Sequence, residues 1–383
     1  MPRGSYEVVI VGGGIAGAAT AYFLSEAGIR DILILERESH LAVHSTGRSA
    51  ASISAYDENE TVLDLKIAGS RFWQDPPTGF TEDAPLQQVG VVSLFEAADY
   101  QRNREREADL RARGLEFEFL SPAECRSLVP VLAFDSLAGG IFAPHDGRLD
   151  VHAILQAYLR SARSKGAELV LGAEVRGLLR EGERVVGVEL NQGKVYGDTV
   201  INAAGAWAGR LGTMAEALDV RLQPMRRSLF TFPGPVDEEF SRWPMVWSDP
   251  HEIYFVAEAG EMMLSPMDQV PMEACDPSTD DETVAAAIER LRSLAPTLVP
   301  RTIRSRWAGL RTFAPDGAPV IGPDPVRPGF FWVAGMGGAG IETSPAYGRI
   351  AADLLVGRES GFAGVERIRP ERFGKLAAQA DSG

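Results

Sequence analysis

A glycine-rich turn near the start of the chain constrains the fold more than any other feature. The apolar run 6–11 leads into a Gly-x-Gly-x-x-Gly turn, and an Ala-rich, helix-like run follows. A second apolar run, 32–35, ends at Glu36, about 20 residues past the last glycine, where an acid can bond a ribose hydroxyl. Gly12 suits the tight turn, Gly14 close approach of the backbone to a pyrophosphate, and Gly17 close helix–strand packing. The pattern predicts a dinucleotide at a helix N-terminus, held by residues of this unit: Gly12, Gly14, Ile15, Ala16, Gly17, Glu36 and Arg37.

Composition and charge exclude several other classes of protein. A length of 383 residues predicts two or three domains, or one large two-part fold. The apolar stretch 6–24 lacks a basic start before an unbroken apolar core, and no cleavage site follows it. We therefore expect neither a signal peptide nor a transmembrane segment there. The net charge of −15 argues against a nucleic-acid partner. Cys125 and Cys275 are far apart and predict free thiols in a cytoplasmic protein, and the five histidines form no metal-ligand pattern.

Three later segments indicate which dinucleotide binds. The run 44–51 combines small and hydroxyl residues with one arginine, which suits a loop against a pyrophosphate and a flavin ring, although a simple helix cap at Ser45 or Thr46 is the alternative. The run 199–207 is a strand that ends in small residues, and 330–341 is a strand that enters a glycine loop before a helix near Ser344. The glycines of the loop within 330–341 could instead be needed only for positive φ angles. The further cofactor residues that we predict are Ser45, Thr46, Arg48, Ser49, Ala50, Ala204, Gly205, Gly335, Gly337, Gly338, Gly340 and Ile341.

The segments 44–51, 202–207 and 307–311, in this order, resemble those of the FAD-dependent amino-acid oxidoreductases of the D-amino-acid oxidase, glycine oxidase and sarcosine oxidase superfamily. The bacterial D-arginine dehydrogenases show this resemblance over nearly the whole chain. It implies an α/β FAD-binding Rossmann-like domain interleaved with an α+β substrate domain built on a large antiparallel sheet. Some relatives hold the flavin through a cysteine near the Arg311 segment. Thr312 and Phe313 follow here, so we expect non-covalent FAD.

The same resemblance predicts a discontinuous domain organisation. Residues 1–82, 146–220 and 312–383 would form the FAD-binding domain, and 83–145 and 221–311 the substrate-binding domain. Local patterns independently predict helices and strands inside these segments. They are helices over 154–162 and 283–294, strands over 168–171, 228–232 and 253–256, and a hairpin around 191–193.

The substrate residues are implied by the resemblance. Arg227 and Arg311 would face a substrate carboxylate, for which a guanidinium offers a planar, paired and permanently charged contact. A surface salt bridge is the usual alternative for an arginine, and Arg226 would point to the opposite face of the strand. Tyr254 would reach the same carboxylate, unless it only packs in the sheet. The remaining assignments are the Gly338 carbonyl as acceptor for the substrate amine and Tyr56, or Asp57, as a gate.

Departures from the arginine-specific relatives predict a different substrate. Gly90 stands where those relatives carry an acid for the substrate guanidinium, and Ser52 where they carry a histidine. Without that acid a buried cation would be unpaired and costly. Met245 and Trp247 could add apolar walls, or could be core residues. We therefore expect neutral or apolar D-amino acids, or a bulky secondary amine, rather than D-arginine.

The implied reaction is hydride transfer from Cα to the flavin, followed by hydrolysis of the imino acid to a keto acid. Related oxidases often place a lysine over the flavin, but the chain has none between Lys194 and Lys375, which favours a dehydrogenase that uses a quinone or another acceptor. Oxidation of a 2-hydroxy acid is a rival, with His44 as its one candidate base. A non-catalytic or RNA-modifying flavin module is a second rival.

Overall fold

Two large sheets organise the chain in a computed structural model that describes residues 2–54, 56–133, 137–236 and 238–374. Ala55 of the predicted gating loop lies outside the described residues, as do Lys375 and the rest of 375–383 in the predicted FAD-binding domain. Among the described helices, none is both long and apolar enough to cross a membrane.

Several helices have a polar N-cap residue whose side chain accepts hydrogen bonds from amides of the first turn. Asn59, Ser121, Asp150 and Asp280 cap the helices that begin at residues 60, 122, 151 and 281 in this way, whereas the helix that begins at Ile15 follows Gly14 and has no side-chain cap. The amides at the start of that helix are thus available to other acceptors. The helices of the described residues are α1 Ile15–Glu26, α2 Glu60–Gln74, α3 Ala97–Glu105, α4 Glu107–Ala112, α5 Pro122–Leu128, α6 Val151–Ser164, α7 Ala208–Ala215, α8 Asp281–Leu294 and α9 Ser344–Leu355.

The strands alternate with these helices in the first part of the chain and cluster in the second. They are β1 Ser5–Val11, β2 Ile32–Leu35, β3 Ser52–Ile53, β4 Leu86–Gln87, β5 Val91–Phe95, β6 Glu118–Leu120, β7 Gly139–Ala143, β8 Gly147–Leu149, β9 Glu168–Val170, β10 Val175–Glu181, β11 Arg184–Leu190, β12 Gly193–Asn202, β13 Gln223–Pro233, β14 Met245–Ser248, β15 Ile253–Glu258, β16 Glu261–Ser265, β17 Val270–Pro271, β18 Ser305–Phe313, β19 Val320–Pro323, β20 Phe330–Ala334 and β21 Met336–Gly337.

The first sheet has a parallel centre. β1 pairs in parallel with β2 and β12, β2 with β9, and β12 with β20, while the predicted hairpin β11–β12 and strands β10 and β19 extend it in antiparallel fashion. Helices α1, α6 and α9 cover one face with an apolar core. Val11 lies opposite both Leu35 and Asn202, so three strands end at one edge, where α/β sheets bind ligands.

The second sheet has the order β21-β18-β13-β16-β15-β14-β5-β7-β6, with β17 beside β13. It takes strands from both predicted parts of the substrate domain, and also β21 and the end of β18 from the segment 312–383 that we predicted as FAD-binding. Its pairs are antiparallel except β5–β14, where the two parts of the chain meet. Helix α8 covers one face through Val284, Ala287 and Leu291, and Ile288 is half-buried there. The predicted two-part architecture with a large antiparallel sheet is therefore confirmed, apart from this one parallel pair. A small sheet, β3-β8-β4, lies outside both.

Candidate cofactor and substrate site

The predicted glycine turn lies against the end of β12. Gly12 has a φ of +116°, and a Cβ there would collide with the carbonyl oxygen of Ala203. A Cβ at Gly17 would collide with the carbonyl oxygen of Gly12, so α1 packs on the turn because no side chain intervenes. Gly14 lines an open groove and is the N-cap residue of α1. The turn therefore places the start of a helix at the groove, as anion binding requires.

The loop after β2 shapes the middle of the groove. Thr46 Oγ1 accepts a hydrogen bond from the Ile15 amide at 3.1 Å, so it satisfies one amide at the start of α1 rather than capping a helix of its own. Ser45 donates to the Leu310 carbonyl at 2.6 Å and thereby ties this loop to β18. Both residues line the groove. The segment thus joins the two sheets at the place where we predicted the cofactor.

Glu36 lies at the end of β2 and lines the groove. Its carboxylate accepts from the amides of Gly13 and Glu38, both at 2.9 Å. These bonds fix the carboxylate orientation, and its remaining lone pairs can accept hydroxyl donors. The geometry is suitable for the predicted ribose contact.

A charged and aromatic cluster closes one end of the groove. The Arg37 guanidinium lies 3.6 Å from the Trp207 ring centre, and its Nη2 lies 2.9 Å from His44 Nε2. His44 also contacts Glu38 at 2.8 Å, and this hydrogen bond, with smaller effects of Arg37, lowers the pKa of Glu38. His44 lines this end and not the substrate end, so the structure does not place it as the base for a 2-hydroxy acid. Trp207 and Val175 also line this end. Our cofactor prediction did not include them, although Trp207 ends the segment 202–207 that we singled out; Val175 begins β10, and no local pattern marked it.

Arg48 has a different environment from the one we predicted. Its guanidinium donates to the carbonyls of Val43 and Ala308, both at 3.0 Å, and pairs with Asp276 at 2.5 Å. These partners occupy much of its hydrogen-bonding capacity. Arg48 lines the groove but fastens the cofactor loop to the protein.

A second cavity continues the groove under the second sheet. The two cavities share Gly14, Ser45, Thr46, Ala203 and Gly205, so they adjoin each other at these residues. Each predicted cofactor residue except Gly17, which packs behind the turn, lines one or both cavities. The second cavity contains Ile15, Ala16, Ser49, Ala50, Gly335, Gly337, Gly338, Gly340 and Ile341, and the first contains Glu36, Arg37 and Ala204.

Arg227 and Arg311 enter this second cavity from neighbouring strands. Arg311 lies opposite Met225 in the β13–β18 ladder, two residues from Arg227, so the two arginines share a face of the sheet. Arg226 lies on the other face and pairs with Asp268 and Asp280. A Cβ at Gly338 would lie 2.6 Å from Arg311 Nη1, so the glycine lets this guanidinium cross the loop.

Arg227 is 4% exposed, and its Nη1 has no partner among the described residues. Its Nε donates to the Asp268 carbonyl at 2.9 Å. Burial, and then the positive charge of Arg311, lower the pKa of Arg227 to about 9. Two close cations without a carboxylate partner form an environment that a bound anion would relieve.

Tyr254 lies close enough to Arg227 to raise its pKa, although it does not line the second cavity. Its ring stacks on Trp247 with centres 4.9 Å apart, and its buried hydroxyl has no partner in the described part of the chain. It packs in an apolar cluster with Ala50, Leu229 and Met245. An unsatisfied hydroxyl inside an apolar wall is unusual and indicates a ligand position.

The structure does not bring Tyr56 to this cleft. Its hydroxyl donates to Asn103 Oδ1 at 2.7 Å, and its ring packs edge-on against Phe95 in a separate apolar cluster. Asp57 pairs with Lys66 at 3.0 Å. Because both side chains are held elsewhere, neither gates the cleft in this arrangement.

Gly90 cannot carry an acidic side chain in this backbone. Its φ is +80°, and a Cβ would collide with the Phe142 ring. The lining of the second cavity, as far as the structure describes it, contains no aspartate, glutamate, lysine or cysteine. No group of His, Cys, Asp and Glu side chains suited to a metal ion occurs among the described residues.

Comparisons with known proteins agree with this geometry. Residues 7–354 match the DAO family, described as FAD dependent oxidoreductase. The chain is 28% identical to sarcosine oxidase subunit beta of Rhizobium meliloti (strain 1021), over 92% of this chain and 85% of that protein. It is 27% identical to mitochondrial sarcosine dehydrogenase of Mus musculus, over 91% of this chain and 39% of the relative, so it spans about two fifths of that protein. The crystal structure of L-proline dehydrogenase from P.horikoshii superposes with a TM-score of 0.87 at 23% identity, covering 98% of this chain and 99% of the other.

Proposed function

The chain belongs to the DAO family of FAD-dependent oxidoreductases, and on that premise we propose that it oxidises a carbon–nitrogen bond of a small neutral amino acid with an alkylated nitrogen. The observation that carries the proposal is the pair Arg227 and Arg311, which share one face of the sheet at the glycine loop without a carboxylate partner among the described residues. The relatives named for sarcosine and the neighbour named for proline support the alkylated nitrogen.

The two arginines and Tyr254 would hold the substrate carboxylate. Arg227 Nη1 and the Tyr254 hydroxyl are buried donors without an acceptor among the described residues. A carboxylate supplies up to four acceptor sites and compensates the two nearby positive charges. Fixed in this way, the carboxylate would place the carbon–nitrogen bond beside the glycine loop.

The remaining walls would select a neutral substrate and a neutral amine. Leu229 and Ala50 in the described lining of the second cavity are apolar, Met245 packs in the same apolar cluster without lining the cavity, and no acidic side chain occurs in that lining. An ammonium group would lose its hydration there, which lowers its pKa and favours the neutral amine that can release a hydride. The Gly338 carbonyl is our proposed acceptor for the amine hydrogen.

FAD, when bound, accepts the hydride from the substrate carbon. We propose that it is held non-covalently, since the described lining of the second cavity contains no cysteine. The imine product would be hydrolysed by water. The absence of lysine from the same lining supports electron transfer to a quinone or another acceptor rather than direct use of oxygen.

A second candidate is oxidation of neutral D-amino acids at Cα. Leu229 favours it, because this residue lines the second cavity and packs with Met245, Val256 and Met263, and such an apolar surface could accept an apolar side chain. The same carboxylate anchors serve both candidates. They differ in whether the apolar substituent is on the nitrogen or on Cα.

Anaerobic mixing of the yellow holoenzyme with single amino acids would test the proposal. We expect sarcosine, N,N-dimethylglycine or proline to bleach the oxidised flavin absorbance, with slow recovery in air. Rapid bleaching by D-alanine or D-leucine alone would favour the second candidate. No bleaching by any amino acid in the set would contradict both. A turnover rate that stays flat from neutral to alkaline pH would contradict the requirement for a neutral amine.

A further inference from the structure

We propose that Asp268 is a positioning residue for the substrate carboxylate: it aims the Arg227 guanidinium into the cleft, and Arg226 holds Asp268 in place. This inference rests on the proposed function, because it takes Arg227 as a carboxylate anchor. Asp268 follows β16 and does not line the cleft, so it would act only through Arg227.

The contact that aims Arg227 is made by the backbone of Asp268. The Asp268 carbonyl accepts from Arg227 Nε at 2.9 Å, while Arg227 Nη1 has no partner in the described structure. A guanidinium is planar and rigid, so fixing one edge determines where the other edge points. The position of one carbonyl oxygen therefore sets the direction of the anchor.

Side-chain bonds of Asp268 fix that carbonyl. Its carboxylate accepts from the Ser228 amide at 2.6 Å, from Ser228 Oγ at 2.9 Å and from Arg226 Nε at 3.0 Å. Ser228 is the next residue after Arg227, so the Asp268 carboxylate is hydrogen-bonded to the strand that carries Arg227. These three bonds satisfy a carboxylate that is only about one tenth exposed.

Met267, which precedes Asp268, has a backbone conformation that is unfavourable for a residue other than glycine. Met267 has a φ of +51°, a left-handed conformation that costs about 1 kcal/mol or more for a residue other than glycine. Its amide donates to Ser265 Oγ, which in turn donates to the Ser228 carbonyl. The contacts of Ser265 and Asp268 with β13 offset this strain.

Arg226 connects the arrangement to α8. Its Nη1 pairs with Asp280 at 2.7 Å, and its Nη2 donates to Thr283 Oγ1 at 3.0 Å, both at the start of that helix. Arg226 and Asp268 are 12% and 10% exposed, so neither charge is readily compensated by water if its partner is removed. Arg226 and Arg227 thus have different roles on opposite faces of β13: Arg227 is the carboxylate anchor, and Arg226 holds Asp268 in position.

Charged and titratable groups from four elements face Arg227. They are Arg311 on β18, Tyr254 on β15, Asp268 after β16 and Asp249 after β14. Burial and then Arg311 lower the pKa of Arg227, whereas Tyr254, Asp268 and Asp249 raise it. Loss of the Asp268 charge would lower this pKa further. The cation binds carboxylates below its pKa, so binding would be lost at a lower pH.

The test compares holoenzyme variants by titration with acetate and benzoate, followed through the flavin absorbance across pH. We expect Asp268→Asn to raise the Kd of the carboxylate about tenfold, because a misdirected Arg227 would lose about one charge-assisted contact with it. The alkaline loss of binding should also move to lower pH, which a purely structural role would not cause. The matched control is Asp281→Asn, at an exposed aspartate on α8 that pairs with Arg306.

A milder variant keeps the test decisive if Asp268→Asn does not fold. Ser228→Ala retains the Asp268 charge and removes one bond to it, so we expect carboxylate binding to weaken a few-fold with an unchanged pH profile. Wild-type affinity and pH dependence in Asp268→Asn, or wild-type affinity in Ser228→Ala when Asp268→Asn does not fold, would overturn the inference and leave the proposed function intact. Failure of the wild-type holoenzyme to bind either carboxylate would overturn the proposed function, and the inference with it.

Discussion

At the residue scale, Arg311 is the most direct test of carboxylate anchoring. Its guanidinium lines the cleft and makes no ion pair within the described residues. Because a hydrogen bond to a charged group contributes about 1.5–3 kcal/mol, Arg311→Gln should lower kcat/KM by about 10²-fold. Stopped-flow flavin reduction against substrate concentration would measure it.

Arg306→Gln is the matched control for that change. Arg306 lies on the same strand, but its side chain is half-exposed and pairs with Asp281. We expect kcat/KM within about twofold of wild type, since exposed ion pairs contribute little. Equal losses in the two variants would contradict the anchoring role of Arg311.

Tyr254 should affect stability and binding in opposite directions. Its buried hydroxyl has no hydrogen-bond partner in the described structure, and such a group costs about 1–3 kcal/mol. Tyr254→Phe should therefore leave the free energy of unfolding unchanged or raise it by about 1 kcal/mol, while KM rises about tenfold. Urea unfolding and steady-state kinetics would measure the two effects. A variant that is less stable but binds substrate normally would show that Tyr254 only packs in the sheet.

At the scale of elements, α2 docks on the end of the glycine loop through one stripe of its surface. Lys66 Nζ lies 3.2 Å from Glu342 Oε1, and the Trp73 indole donates to the Glu342 carbonyl at 2.8 Å. A Cβ at Gly69 would collide with that same carbonyl. Positions 66, 69 and 73 are three and four residues apart and therefore lie on one face of α2, which packs against Glu342.

The charge pair in this contact is buried. Burial opposes the charge of Lys66, but Glu342 and Asp57 outweigh it and raise the pKa of Lys66, while burial raises the pKa of Glu342. Lys66→Met would leave the Glu342 carboxylate without its cation, so the free energy of unfolding should fall by about 3–5 kcal/mol. Equilibrium urea unfolding would measure it.

The double variant Lys66→Met with Glu342→Gln provides the control. Glutamine is neutral and can still accept from the Ser54 amide, as Glu342 does at 2.9 Å. The double variant should therefore recover much of the lost stability. If it were no more stable than Lys66→Met alone, the uncompensated charge would not be the cause.

At the scale of the whole molecule, the cofactor groove is formed by both sheets. The end of β1 and the residues that follow β12 line one part, and β13 and β18 line the other. FAD would thus bind the native state and not the unfolded chain. Free FAD at 100 times its Kd should raise the free energy of unfolding of the apoprotein by about 2.7 kcal/mol. Urea unfolding with and without FAD would measure this, and identical curves would contradict a groove built by both sheets.

Local periodicity made part of this arrangement predictable from sequence. The β1–turn–α1–β2 unit follows from apolar runs, glycine spacing and an acid at a fixed distance, which are all short-range signals. The opposite orientations of Arg226 and Arg227 follow from the two-residue period of a strand. The hairpin around 191–193 and the helix at 283–294 were predictable for the same reason.

Contacts between distant parts of the chain were not predictable in this way. Arg48 lines the predicted cofactor cavity, but part of its guanidinium binds Ala308 and Asp276, and Tyr56, which we predicted as a gate, binds Asn103. No local pattern marks Asp268, which contacts β13 from a segment some 40 residues away. Such partners depend on which surfaces meet when the sheets pack.

The sequence by itself determined the dinucleotide turn, the order of its elements and the face of each arginine, because backbone geometry and side-chain alternation operate over a few residues. The tertiary structure alone decided which donors stay free. Arg227 Nη1 and the Tyr254 hydroxyl have no partner among the described residues, whereas Arg48 Nε and Nη1 already bind protein groups. A side chain is available to a ligand only after packing has given its neighbours their own partners, and that outcome is a property of the whole fold.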